Sequence, residues 1–234
     1  MVQAVFVHIP KTAGTSFREA LCAGFGSEAV SPAFAASRIS PEEAERFGAY
    51  QVISGHISMA DVTRHFPNAA PFTILRAPID RTLSWYSFAR QQAGGMHADV
   101  DAAKAHDVEA FFALDEAIVF RNIVNRQVRQ LGDHVLNTEV DLPAALDRAK
   151  RALEACVWVG RQDHLDADLG RLPAALPQMA GVALAKLNVT AERRAISEID
   201  AALAEKIARY NRYDLELYAH ACAMLGTPPG SQPA

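Results

Sequence analysis

One segment near the start constrains the fold more than any other. Ala4-Val5-Phe6-Val7-His8-Ile9 is a short apolar run, rich in β-branched and aromatic residues, that closes on Pro10. Such a run predicts a buried strand over Ala4 to Ile9. Pro10-Lys11-Thr12-Ala13-Gly14 follows, and Thr15 to Ala23 reads as a helix with Phe17, Ala20 and Leu21 on one face. A buried strand that passes through a tight loop of small residues into a helix opens a parallel β–α–β unit.

The rest of the chain continues in that manner. Tyr50 to Ile53, Pro71 to Leu75 and Val157 to Gly160 read as strands. Helices are expected over Met59–Phe66, Ile79–Gln91, Val108–Leu114, Glu116–Leu131, Leu142–Ala155, Asp163–Leu176 and Ser197–Leu225. The last begins with a pair resembling a capping box, Ser197 and Asp200. Ser31 to Pro41 reads as loop, and Gly94-Gly95 as a break. Strands alternating with helices predict an α/β fold of three layers, a central mostly parallel sheet flanked by helices, with a helical C-terminal half. Trp85 and Trp158 are expected in the core.

Composition narrows the class. With 234 residues, half of them hydrophobic, the chain can bury a core without disulfides or metal. A single domain is expected over 1–225, followed by a flexible Pro/Gly/Ser-rich tail over 226–234. The formal net charge of -4 argues against a nucleic-acid partner, which calls for a basic excess. Roughly a fifth of the residues are alanine, which favours helix. No apolar run reaches the roughly 18 residues of a membrane span, and the first ten residues lack the features of a signal peptide. Cys22, Cys156 and Cys222 show no metal spacing and read as free thiols of a cytoplasmic protein. His65, His97, His106, His134, His164 and His220 show no ligand spacing either, so no metal site is expected.

The loop after the first strand carries the chemistry. Small residues let backbone N–H groups converge on an anion, and the helix N-terminus adds partial positive charge. Lys11 adds a full charge, and Thr12, Thr15 and Ser16 add hydroxyls around Ala13 and Gly14. The plainer reading is a tight turn with a solvated lysine. The order of residues differs from a Walker A loop, where the lysine follows the glycines. Lys11 precedes Gly14 and stands next to the strand, suited to the bridging oxygen of a transferable group.

A second cluster is Ile74-Leu75-Arg76-Ala77-Pro78-Ile79-Asp80-Arg81-Thr82-Leu83-Ser84-Trp85-Tyr86. The third strand delivers Arg76 to the carboxyl end of the sheet, where α/β folds bind ligands. Pro78 starts the next helix, and Ser84 follows Arg76 by eight residues. Arginine offers a planar fork of donors for a terminal phosphate. The competing reading pairs Arg76 with Asp80 and leaves Ser84 on the surface. Two anion sites without an acidic residue at the strand end suggest a nucleotide with two separate phosphate positions. Farther on, Arg126 and Arg129 share one helical face, either a solvated basic face or a cradle for an anionic acceptor.

Val7-His8-Ile9-Pro10-Lys11-Thr12-Ala13-Gly14-Thr15-Ser16-Phe17 resembles the 5′-phosphosulfate loop of sulfotransferases that use 3′-phosphoadenosine 5′-phosphosulfate (PAPS). Arg76-Ala77-Pro78 through Arg81, Ser84 and Tyr86 resembles their 3′-phosphate motif. Ser54-Gly55-His56 and Tyr210-Asn211-Arg212-Tyr213-Asp214-Leu215-Glu216-Leu217-Tyr218 are similar to elements of the carbohydrate branch that includes heparan sulfate 2-O-sulfotransferase. Two departures stand out. Ala77 replaces an acidic residue, and Arg161 follows Val159-Gly160 where relatives carry an acidic one.

The resemblance implies a P-loop-like fold and in-line transfer of a sulfuryl group from PAPS to an acceptor hydroxyl, without a metal. It implies that Lys11 neutralises the leaving oxygen, that Thr12 to Ser16 hold the 5′ phosphate, and that Arg76 and Ser84 hold the 3′ phosphate. His56 becomes the base and a saccharide or glycolipid the acceptor, in a bacterial cytoplasmic enzyme. Asn188 and Thr190 are candidates for the adenosine. Two alternatives remain: a variant P-loop kinase using ATP and Mg²⁺, or a non-catalytic nucleotide-binding protein.

Overall fold

The computed structural model describes residues 2–34, 38–95, 97–134, 137–184 and 199–226. Asn188, Thr190, Ser197 and the tail beyond 226 lie outside them. The sheet consists of β1 (Ala4–Val7), β2 (Val52–Gly55), β3 (Ala70–Leu75) and β4 (Trp158–Arg161), in the order β2-β1-β3-β4. Every pairing is parallel, with Val7 opposite Gly55 and Thr73, and Leu75 opposite Arg161. All four carboxyl ends therefore lie along one edge.

Alternation along the strands builds the layers. Val5, Val7, Ile53 and Val159 face one cluster. It is closed by α3 (Met59–His65), α8 (Arg126–Gly132), α9 (Leu142–Ala155) and α13 (Arg212–Met224). Ala4, Phe6, Phe72, Ile74 and Trp158 face the opposite cluster, covered by α1 (Gly14–Phe25) and α11 (Leu172–Ala175). Phe17 of α1 stacks on Trp158 at 5.4 Å between centroids. A third cluster joins α4 (Pro78–Arg90), α5 (Ala98–Ala105) and α12 (Ala201–Tyr210) through Leu83, Trp85, Ala103 and Ile207. The three-layer α/β expectation holds, and both tryptophans are buried.

The helices depart from expectation at identifiable signals. Ser40 and Glu43 form a reciprocal capping box ahead of Pro41, so α2 (Pro41–Phe47) starts where a loop was expected. α5 was not anticipated. Glu116–Leu131 is not one helix: α7 (Glu116–Val119) ends in a run of turns before α8, and Asn125 takes φ +42° at the junction. Likewise Asn211 divides the last helical stretch into α12 and α13, and Asp200 itself caps α12 through the Leu203 N–H. Asp163–Leu176 breaks into α10 (Leu165–Leu169) and α11. Among the described residues no helix is long and apolar enough to cross a membrane, and the three cysteines are free thiols.

Candidate active site

The topology decides where a ligand can sit. The chain leaves β1 toward β2 on one side and returns to β3 on the other, so the order reverses beside β1. Open α/β sheets bind ligands at such a switch point, outside the carboxyl ends of the strands. The loop after β1 brings Lys11 there, the loop after β3 brings Arg76, and the end of β2 brings His56. Arg76 Nη1 donates to the Lys11 carbonyl at 3.0 Å, which closes the switch point directly.

The loop after β1 is strained. Lys11 and Ala13 both take φ +71°, a conformation that costs non-glycine residues about 1–3 kcal/mol and clusters at functional sites. Signs of φ that alternate from Pro10 to Ala13 turn successive backbone groups inward, the geometry of an anion nest at the start of α1. Thr12 is fully buried, and its hydroxyl donates to the Ile9 carbonyl at 2.8 Å. Its one proton thus holds the loop together, leaving ligand contact to its backbone N–H. Thr15 is exposed and Ser16 buried. Gly14 is required by packing: a Cβ there would stand 1.9 Å from His8 Nε2.

Lys11 and Arg76 form a close cationic pair. Burial, and then the Arg76 charge, pull the Lys11 ammonium down to about 8. Its Nζ rests 4.1 Å from the centroid of the Phe88 ring. Ser84 is buried and lies one turn before Phe88, on the same face of α4. The Arg76 main chain is clamped by fully buried Gln127, whose Oε1 accepts the Arg76 N–H at 3.1 Å. The Gln127 Nε2 donates to the Arg76 carbonyl at 3.0 Å.

His56 is held by one short bond. Its Nδ1 lies 2.8 Å from the His8 carbonyl oxygen. A carbonyl only accepts, so Nδ1 carries the proton and Nε2 presents the lone pair. Burial lowers the imidazole to about 4; the bond to His8 opposes this and the Arg126 charge reinforces it. Neutral His56 is therefore the resting form at pH 7. The His8 ring lies beside it, tilted by 37° with centroids 4.4 Å apart, and is lowered to about 3 by burial, His56, Arg126 and Lys11.

Arg126 and Arg129 do not form a solvated basic face. Both are buried. Arg129 donates to the carbonyls of Val124, Phe120 and Arg121, and its guanidinium lies 4.0 Å over the Phe120 ring. Arg81 donates to the carbonyls of Asn122 and Ile123. These guanidinium groups supply the donors that an irregular stretch of buried backbone needs. Arg126 Nη1 takes the Arg121 carbonyl, and its Nε and Nη2 fork onto Gln130 Oε1 at 3.3 and 3.2 Å. Gln127 and Gln130 were not singled out from the sequence, and Asp214 only as part of the motif that begins at Tyr210. The local trace of the two glutamines is a pair of amides three apart on α8.

The site holds two cations, a nest of backbone donors and a neutral imidazole around one edge. Among the described residues no cluster of histidine, cysteine, aspartate or glutamate could hold a metal ion. Such an arrangement is chemically suited to an anion with a proton acceptor beside it. No curated protein matches the chain. The model described as Sulfotransferase family matches residues 3–169, a stretch that includes Lys11, His56, Arg76 and Ser84. With well over half of its length matched, the chain belongs to the sulfotransferase family.

Proposed function

We propose that the protein transfers a sulfuryl group from PAPS to a hydroxyl, with Lys11 and His56 as catalytic residues. The observation that carries this reading is the pairing of a cationic, nest-forming loop with a neutral imidazole whose Nδ1 proton is held by the His8 carbonyl. The residues present suit such a donor. Burial and then the Arg76 charge lower the Lys11 ammonium, and an anion seated beside it opposes that shift.

The donor, when bound, supplies a sulfuryl group whose bond to the bridging phosphate oxygen breaks as the acceptor oxygen attacks in line. The backbone of Thr12, Ala13, Gly14, Thr15 and Ser16 holds the 5′ phosphate, and Arg76 and Ser84 the 3′ phosphate. Lys11 neutralises charge that grows on the leaving oxygen, a preorganised electrostatic role that reorganises little during reaction. His56 Nε2 accepts the acceptor proton. A transferred group of low charge repels the incoming oxygen weakly, so ammonium and backbone donors suffice. The motif likeness of residues 7–17, 54–56 and 210–218 to the carbohydrate branch supports a saccharide or glycolipid hydroxyl as acceptor.

Thermal unfolding tests the donor class. A ligand that binds only the folded state raises its stability by mass action. Adenosine 3′,5′-bisphosphate in EDTA is expected to raise Tm, more than ATP with Mg²⁺ does. The opposite ranking sinks the reading and favours a kinase. Binding without transfer of labelled sulfate to any saccharide, lipid or phenol acceptor favours a non-catalytic nucleotide-binding protein.

A further inference from the structure

Gln130 lies behind His56, fully buried on α8. Its Nε2 donates to the His8 carbonyl at 2.9 Å and to the Ile57 carbonyl at 3.0 Å. Its Oε1 faces the Arg126 guanidinium. Only this orientation of the amide satisfies all the partners, because two carbonyls need the NH₂ end and a guanidinium needs the oxygen. The His8 carbonyl thus receives two donors, Gln130 Nε2 and His56 Nδ1, one for each lone pair. Gln130 also ties down the residue that follows His56. The loop after β1 and the loop after β2 are joined through this one amide.

We propose that Gln130 is a positioning residue that fixes the tautomer and orientation of His56 through the His8 carbonyl. It touches neither donor nor acceptor. It holds the oxygen that keeps the His56 proton on Nδ1, and so keeps Nε2 a proton acceptor. Arg126 orients Gln130 in turn, which gives that buried cation a role at the site. This inference rests on the reading of His56 as base.

The test uses the ¹⁵N spectrum of the His56 ring, which reports the tautomer without turnover, beside steady-state kinetics. Wild type is expected to show Nδ1 protonated and Nε2 bare. Gln130→Met removes both donors, and Gln130→Glu removes them while keeping the volume and pairing with Arg126, so it serves if the first variant fails to fold. Both are expected to raise the share of Nε2-protonated His56. The expected fall in kcat is about ten- to a hundredfold, part of the roughly 10²–10⁴-fold that a general base supplies, with the KM for donor little changed. A wild-type ring protonated on Nε2, or variants with an unchanged tautomer, overturns the proposal. Full activity in His56→Ala defeats the base reading instead and leaves the tautomer result standing.

Discussion

Asn125 and Asp214 each cap the helix that carries the other. The Asn125 side-chain oxygen accepts the N–H groups of Tyr213 and Asp214 at the start of α13, at 2.9 and 3.2 Å. The Asp214 carboxylate accepts those of Gln127 and Val128 at the start of α8, at 3.1 and 2.8 Å. Each helix start leaves orphan donors, and here each supplies the other's acceptor across 89 positions of sequence. The consequence reaches the site, because α8 carries both Gln127, which clamps Arg76, and Gln130, which holds the His8 carbonyl.

Breaking this exchange is expected to cost stability first. Asp214 is fully buried and its charge faces Arg81 and Arg129. Asp214→Ala removes a buried negative charge beside those cations and orphans the Gln127 and Val128 N–H groups, and is expected to destabilise by about 3–5 kcal/mol. Asn125→Ala loses a cap worth about 1 kcal/mol, together with a residue suited to φ +42°. Urea unfolding measures both; equal and negligible shifts would count against the reciprocal cap.

Gly14 should tolerate no side chain. In Gly14→Ala the new methyl meets the His8 ring, and overpacking of this sort costs about 1–3 kcal/mol. The displaced ring borders His56, so transfer activity should fall more than stability alone explains. Pairing Gly14→Ala with His8→Ala makes room for the methyl and should restore Tm. An unaltered Tm in Gly14→Ala alone contradicts the contact.

The pH dependence of kcat/KM follows from two groups of the free protein. His56 must be neutral, so activity falls as pH drops through about 4. Lys11 must be protonated, so activity falls as pH rises through about 8. The profile is expected to be a bell with a broad top between those values. His56→Ala should lose the acid limb with its activity. An acid limb near the ordinary imidazole value of 6.5 refutes the buried, cation-flanked setting of His56.

Stability should carry the same imprint at acid pH. His56 has a folded value lowered below its ordinary 6.5, so below that pH the unfolded chain binds a proton that the folded chain refuses. Stability is full above about 6.5 and falls as pH drops toward about 4, by an amount on the order of a few kcal/mol. His8 prolongs the loss toward about 3. Urea midpoints between pH 7 and 4 measure the slope, which His56→Gln should reduce.

Lys11→Met removes the charge that meets the leaving oxygen while keeping an apolar stem near Phe88. The expected loss is about 10²–10³ in kcat, the scale of a lost oxyanion donor, with adenosine 3′,5′-bisphosphate still bound through the nest and Arg76. Near-native turnover in this variant removes Lys11 from the chemistry.

What could be read from the chain alone was local. The strand from Ala4, its loop with Lys11 and Gly14, and the spacing of Arg76 to Ser84 are each encoded within a dozen neighbouring residues. Hydrophobic alternation and small-residue turns act at that range. The helix expected over Glu116–Leu131 failed for the complementary reason. Its apolar spacing was sound, but Arg81, Arg126 and Arg129 satisfy the carbonyls of residues 120–124 from outside the local backbone, which frees that stretch from helix. The sequence by itself determined a parallel α/β fold and a tight small-residue loop with Lys11 between the first strand and the first helix. Only the tertiary structure decided that His56 keeps its proton on Nδ1, that Arg126 and Arg129 face inward, and that Asp214 caps α8. The first and the last depend on hydrogen bonds between residues 48 to 87 positions apart, partners chosen by packing rather than by neighbours, and the second on nearby acceptors that are open because residues 120–124 are not helical.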